Sequence, residues 1–280
     1  MKQILKSTIL LSLLAGILIG AGYILGGRSG AYIAFGISVL MNVGAYWFSD
    51  SIVLKMQRAV PLDANTYPHV VAMVQDLAQK DNLPMPKVYL VDTPVPNAFA
   101  TGRSPKHAVV AVTSGIMNLL SQSELKSVLA HELGHIRNRD ILISSIAATA
   151  AGAISLLAEL AFWGGALFGG SDDDAPNPLA TLAMVILAPI SATLIQLAIS
   201  RSREYLADEY GARLIGHGME LASALQKLED FKGGYKIKGD AFQQSTAHMM
   251  FINMFNVGAL ASLFSTHPST KDRVSRLKNL

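Results

Sequence analysis

The 280-residue sequence contains no cysteine. Disulfides, thiolate metal sites and cysteine nucleophiles are therefore excluded, and any metal must be held by histidine and carboxylate. The same absence is compatible with a reducing compartment. Charge is sparse as well: 15% of residues are charged against 51% hydrophobic, an unusual balance for a soluble domain. The formal charge is +3 and the isoelectric point near 9.0, yet no Lys/Arg cluster interleaved with aromatics is present, which argues against nucleic acid as a partner. No repeat of fixed period stands out. No A-x-A site follows the first apolar run, so that run, with Lys2 and Lys6 at its start, reads as an uncleaved anchor rather than a signal peptide.

What the chain does have is long runs almost free of charge, which account for its mean hydropathy of +0.36. Four of them, at about 5–25, 31–48, 141–168 and 179–199, are long enough to cross a ~30 Å hydrocarbon layer as helices. All Lys and Arg residues except Arg28 fall on one side of such a four-span plan, and none lies in 169–178, where Asp172, Asp173 and Asp174 precede Pro176 and Pro178. The positive-inside rule then makes the basic side cytoplasmic, with both termini and both large polar segments. Residues 1–48 and 141–199 are the membrane parts, and 49–140 and 200–280 the polar parts. Gly16 and Gly20 have the spacing that lets another helix approach closely, a second copy included, so a homo-oligomer is compatible with the sequence.

The first polar segment opens with a helix expected over about 64–80 and ended by Leu83-Pro84-Met85-Pro86. Short strand-like runs follow at 87–92, 97–102 and 107–113, forming a small sheet. Ser121-Gln122-Ser123-Glu124 is a capping-box sequence, so a helix starts there, runs to about Arg139 and continues toward the third span. A helix through 200–214 continues the fourth.

The 121–139 helix carries His131-Glu132-Leu133-Gly134-His135. Residues four apart share a helix face, so both imidazoles can reach one ion, and Glu132, one residue on from His131, can take a proton from a water beside it. Zinc suits two imidazoles and an oxygen ligand with one corner left for water. A second helical stretch, Ser202-Arg203-Glu204-Tyr205-Leu206-Ala207-Asp208, puts two carboxylates on one face: Glu204 as the preferred third ligand, and Asp208 as acceptor for the free N–H of a ligating imidazole. Arg201, Arg203, Glu209 and Arg213 crowd the same helix, and spacing alone fits an ordinary salt-bridged helix equally well. Arg203 reads as paired with a neighbouring carboxylate. Glu159, inside the third run, either pairs with another helix or lines an access route. His69, His107, His217 and His248 have no partner at ligand spacing and read as structural.

HELGH, SRSREYLADEYGARL, NAFATGRSPKHAVVAVTSGIM and LFSTHPSTKDRVSRL together resemble the HtpX branch of the membrane-bound zinc metalloproteases, which also include the CaaX prenyl endopeptidases. The resemblance covers nearly the whole chain. It implies a mostly α fold with a small β-sheet (α+β): an integral membrane protein with four transmembrane helices and a cytoplasmic zincin-like domain. It also implies one zinc ion held by His131, His135 and Glu204, and an endopeptidase of the bacterial inner membrane, induced by stress, acting on damaged membrane proteins. Asn97, Ala98, Phe99, Ala100 and Thr101 become an edge strand onto which polypeptide substrates pair, a mode that main-chain hydrogen bonding makes indifferent to side chains. His267 matches a family position near the metal, with a role in stabilising the oxyanion. The chain departs from the pattern in having Ser269 where a second proline is expected.

Two other classes are weighed against this. A membrane scaffold or holdase with a structural zinc needs a closed fourth ligand and has no use for Glu132. A transporter needs polar residues through several spans, where Glu159 stands nearly alone. Within the enzyme class, the compact four-span plan lacks the further helices expected of the prenyl-substrate branch.

Overall fold

The computed structural model describes residues 2–146, 201–234 and 269–280. The chain is mostly helical with one small mixed sheet. Its order is α1 (Lys2–Met56), β1 (Val60–Pro61), α2 (Pro68–Lys80), β2 (Lys87–Val91), β3 (Ala98–Thr101), a 3₁₀ turn (Pro105–His107), β4 (Val109–Thr113), α3 (Ser114–Leu119), α4 (Gln122–Arg137), a helical segment at 141–146, α5 (Arg201–Ile215), α6 (Met219–Gly234) and α7 (Thr270–Leu277).

Two helices with a turn at 26–30 were expected at the start of the chain; one helix, α1, runs through instead. Gly27 absorbs the irregularity with φ +58°, a left-handed conformation that costs glycine little. Large apolar side chains stand outward along α1, with Tyr32 76%, Leu40 75% and Ile33 65% exposed. No unbroken helix among the described residues is long and apolar enough to cross a membrane. Gly27–Gly44 and Tyr46–Met56 have the length and composition together, meeting at a 71° bend. Residues 147–168 and 179–199 of the expected third and fourth spans, with Glu159, lie outside the described residues, as does His248.

The sheet order is β1-β2-β4-β3, with β2 and β4 parallel and the outer pairs antiparallel. The two-residue β1 escaped the sequence pattern because it is short and contains Pro61, which an edge position tolerates. Alternation along β4 splits the core. Val110 and Val112 face the main cluster with Val74 and Leu77 of α2 and Leu129 and Leu133 of α4, while Ala111 joins Val91, Phe99 and Val53 on the other face. Val53 belongs to α1, so the long helix is tied to the sheet.

α2 begins at Pro68, four residues later than expected. The Asp63 carboxylate accepts from the Asn65 N–H and the Thr66 hydroxyl, holding 63–66 as a turn, and proline pre-sets the first helical φ. α4 starts where the capping box puts it: Glu124 N–H donates to Ser121 Oγ, and Ser121 N–H to the Glu124 carboxylate. Glu124 also accepts from Ser223 Oγ and Lys227 Nζ, fastening α4 to α6. Burial opposes its ionisation, but these donors bring its pKa down to about 2.

α4 does not continue into the following segment. It ends at Asn138, and Arg139 turns left-handed with φ 59°. The turn brings the Asp140 N–H to the His135 carbonyl, to which it donates at 2.9 Å.

Candidate metal centre

α4 and α5 pack backbone against backbone, and two glycines permit it. A methyl group on Gly134, inside HELGH, would lie 3.1 Å from the Ala207 Cα, and one on Gly211 would lie 3.0 Å from the His131 nitrogen. This approach carries Glu204, in the first turn of α5, to the imidazoles of α4. His131 Nε2 and His135 Nε2 are 3.2 Å apart, and the Glu204 carboxylate oxygens lie 3.8 Å from the first and 3.6 Å from the second. One ligand atom from each of the three lies within 4.8 Å of the others.

The donor set fits a divalent cation. Each Nδ1 faces a carboxylate: His131 Nδ1 is 2.9 Å from Asp208 Oδ1, and His135 Nδ1 is 3.3 Å from Asp140 Oδ2. With Nδ1 as the protonated nitrogen, both Nε2 lone pairs point into one gap. A tetrahedral zinc with Zn–N of about 2.0–2.1 Å has ligand–ligand edges of roughly 3.3–3.4 Å, close to the observed separations. Charge agrees with geometry. Glu132, Glu204, Asp140 and Asp208 are buried together with Arg203 and Arg273, so four carboxylates meet two guanidiniums and two negative charges remain, the deficit a divalent ion neutralises.

Burial holds His131 below its ordinary pKa, against the pull of Asp208. Burial works against a charge on His135 too, but Asp140, Glu204 and Glu132 raise it to about 9; a metal ion would displace that proton. Glu132 is 5% exposed. Burial, aided by the negative Glu204, pushes its carboxyl up to about 7, against the influence of His135 and of a hydrogen bond from the Ala100 N–H. A carboxylate poised there is suited to exchanging protons near neutrality.

Ala100 belongs to β3, the terminal strand of the sheet, which pairs only with β4 among the described strands. Asn97 N–H donates to Thr113 Oγ1, and Thr113 N–H to the Asn97 carbonyl. The alternation of an antiparallel ladder then turns the amides of Ala98 and Ala100 outward. The edge is not bare: Asn97, Ala98, Phe99, Ala100 and Thr101 are all buried, and Ser145 Oγ accepts the Gly102 N–H at 3.2 Å and bonds Thr101 Oγ1 at 2.7 Å.

His267 lies outside the described residues. Sequence reasoning missed two residues that the structure brings to the centre. Arg273, on α7, grips both oxygens of Asp208 through Nε at 2.8 Å and Nη2 at 2.7 Å, and its Nη1 is 3.6 Å from Glu204. Arg273 and His131 hold Asp208 at about 2 despite its burial. Asp140 is the other; its only local signal was a position five residues past His135. Arg203, expected to pair with a neighbouring carboxylate, is buried and forms a long ion pair with Asp140 at 3.8 Å. Burial lowers its pKa, against the attraction of Asp140 and Glu204. His107 contacts Ser104 Oγ and His217 contacts Glu220, and neither belongs to the cluster of His131, His135 and Glu204.

Residues 64–280, which include every residue of this centre, match the family model described as Peptidase family M48. The chain is 51% identical over 278 residues to a Protease HtpX homolog of Persephonella marina, covering 98% of this chain and 96% of that one. It is 48% identical to the Protease HtpX homolog of Methylibium petroleiphilum, with 99% and 97% covered, and 49% identical to that of Syntrophotalea carbinolica, with 99% and 98% covered. Its fold is similar to the crystal structure of S. mikatae Ste24p, with a TM-score of 0.51 at 20% identity. That likeness covers 99% of this chain but 65% of the other.

Proposed function

The chain belongs to peptidase family M48, and from that premise we propose that it is a zinc-dependent endopeptidase of the bacterial cytoplasmic membrane, cleaving damaged or misfolded membrane proteins at the cytoplasmic face as part of a stress response. One observation carries the reading: two imidazole nitrogens and a carboxylate converge beside a buried glutamate on the same helix as the imidazoles. In this proposal residues 1–48 and 141–199 are the membrane parts, and 49–140 with 200–280 the catalytic domain. The outward apolar side chains of α1 support the membrane part, because water is a poor solvent for so continuous an apolar surface.

His131, His135 and Glu204 would hold the ion, with Asp208 and Asp140 orienting the imidazoles. Bound there, zinc supplies a Lewis acid and lowers the pKa of a water toward ~7. Glu132 takes a proton from the attacking water on its carboxylate and returns it to the amine nitrogen as the C–N bond breaks. β3 aligns the extended substrate, its outward amides meeting the peptide's main chain, and His267 donates to the carbonyl oxygen.

The test is cleavage of an unstructured model protein by detergent-purified, metal-stripped enzyme after zinc addition, with Glu132→Gln prepared identically. Zinc-dependent cleavage by the unaltered enzyme alone is expected. Inactivity of both, with zinc bound and the proteins folded, would make the zinc structural.

A further inference from the structure

The two imidazoles are approached in the same way from two sides. On one side His131 Nδ1 meets Asp208, and Arg273 grips both oxygens of that aspartate at 2.7 and 2.8 Å. On the other, His135 Nδ1 meets Asp140 Oδ2 at 3.3 Å, and Arg203 Nη1 faces the second oxygen, Oδ1, at 3.8 Å. The first His–Asp–Arg relay is closed; the second is open by about one ångström relative to an ordinary hydrogen bond.

Arg203 is 6% exposed, and its Nε, Nη1 and Nη2 are buried without a hydrogen-bond partner among the described residues. A guanidinium carries five donors in a rigid fork, and leaving all of them unused in a dry place is strongly unfavourable. A buried cation with idle donors is therefore a group waiting for an acceptor. The candidate is already beside it: Asp140, fixed at the left-handed turn after α4 by its own N–H to the His135 carbonyl.

We propose that Arg203 is a positioning residue that closes onto Asp140, and through it orients His135, as Arg273 does through Asp208 for His131. Arg203 immediately precedes Glu204, so one turn of α5 supplies both the third ligand and the brace for the second imidazole. A carboxylate pinned by a guanidinium keeps its direction, and so holds Nδ1–H toward itself and Nε2 toward the metal. The proposal rests on the reading of His131, His135 and Glu204 as a metal centre.

The test is zinc affinity of the full chain in detergent, by competition with a chromophoric chelator. The proteins compared are the unaltered chain, Arg203→Met, Arg203→Lys, Asp140→Asn and the double variant Arg203→Met with Asp140→Asn, with circular dichroism of each metal-free form. Arg203→Met is expected to weaken zinc binding about 10–100-fold with the helical signal unchanged. Arg203→Lys should recover part of the loss, and the double variant should bind no more weakly than Asp140→Asn alone. Zinc affinity within about twofold of the unaltered chain, losses that multiply in the double variant, or a rise in KM with zinc affinity intact would overturn the relay. Arg203→Lys, which keeps the charge, replaces Arg203→Met in this comparison if the latter does not fold. An unaltered chain that binds no zinc would overturn the metal-centre reading along with it, whereas equal binding by all five overturns the relay alone.

Discussion

α1 and α4 break the usual rule of a globular protein in opposite directions. Along α1 the large apolar side chains face outward; along α4 a glutamate and two histidines of the proposed centre turn inward, beside two buried arginines and two buried aspartates. Each inversion is unfavourable in water by itself. Each becomes reasonable once a missing partner is supplied: a hydrocarbon layer around α1, and a divalent ion beside α4. The pair therefore teaches more than either helix alone, because the helix proposed to meet lipid is tied by Val53 to the sheet that packs on α4.

The sharpest way to break this comparison is at α4. Glu132→Gln should cut proteolysis by roughly 10²–10⁴-fold while elemental analysis finds the metal still bound; loss of the metal would mean that Glu132 is a ligand. Glu204→Ala should lower zinc affinity by more than the ~10–100-fold typical of an orienting partner, read by chelator competition, and unchanged affinity would hand the ligand role to another carboxylate. At α1, Ile33→Asp combined with Leu40→Asp should weaken membrane partition by about 2.5–3.5 kcal/mol for each Asp that reaches the bilayer centre, seen as release on carbonate extraction. Full retention would show that this face does not meet lipid.

The packing that joins the two active helices offers a gentler test. Gly211→Ala puts a methyl group 3.0 Å from the His131 nitrogen, and should cost about 1–3 kcal/mol in thermal unfolding and loosen zinc binding. The smallest effect concerns Glu124. Its pKa of about 2 lies below its ordinary 4.5, so the stabilisation it contributes is complete above pH 4.5 and is lost as the pH falls toward 2. Glu124→Gln should remove about 1–3 kcal/mol at pH 7 and flatten the fall in unfolding free energy over that acid window.

Local features were readable from the sequence because their physics is local. The capping box at Ser121 and Glu124 and the strand-like run at 107–113 depend on neighbours a few residues away. The i,i+4 relation of His131 and His135 is equally local. Glu204 needed a family resemblance before it could be favoured over a plain salt bridge, because nothing in its own helix says that Gly134 and Gly211 will let α5 approach α4. Asp140 could not be read at all while the helix was expected to run on, since a non-glycine residue in a left-handed turn is rarely anticipated. Arg273 went unread because its partner, Asp208, lies on an element remote in the chain.

That remoteness also sets an order in time. The HELGH segment, Glu204 and Arg273 lie on three separate stretches of chain. A polypeptide made from its N-terminus at ~5–20 residues per second exposes the first roughly 7–28 s before the last. Throughout that interval the histidines exist without the residues that would orient and complete them. A hydrolase assembled this way stays inert while it is still nascent, with no inhibitor or pro-segment required.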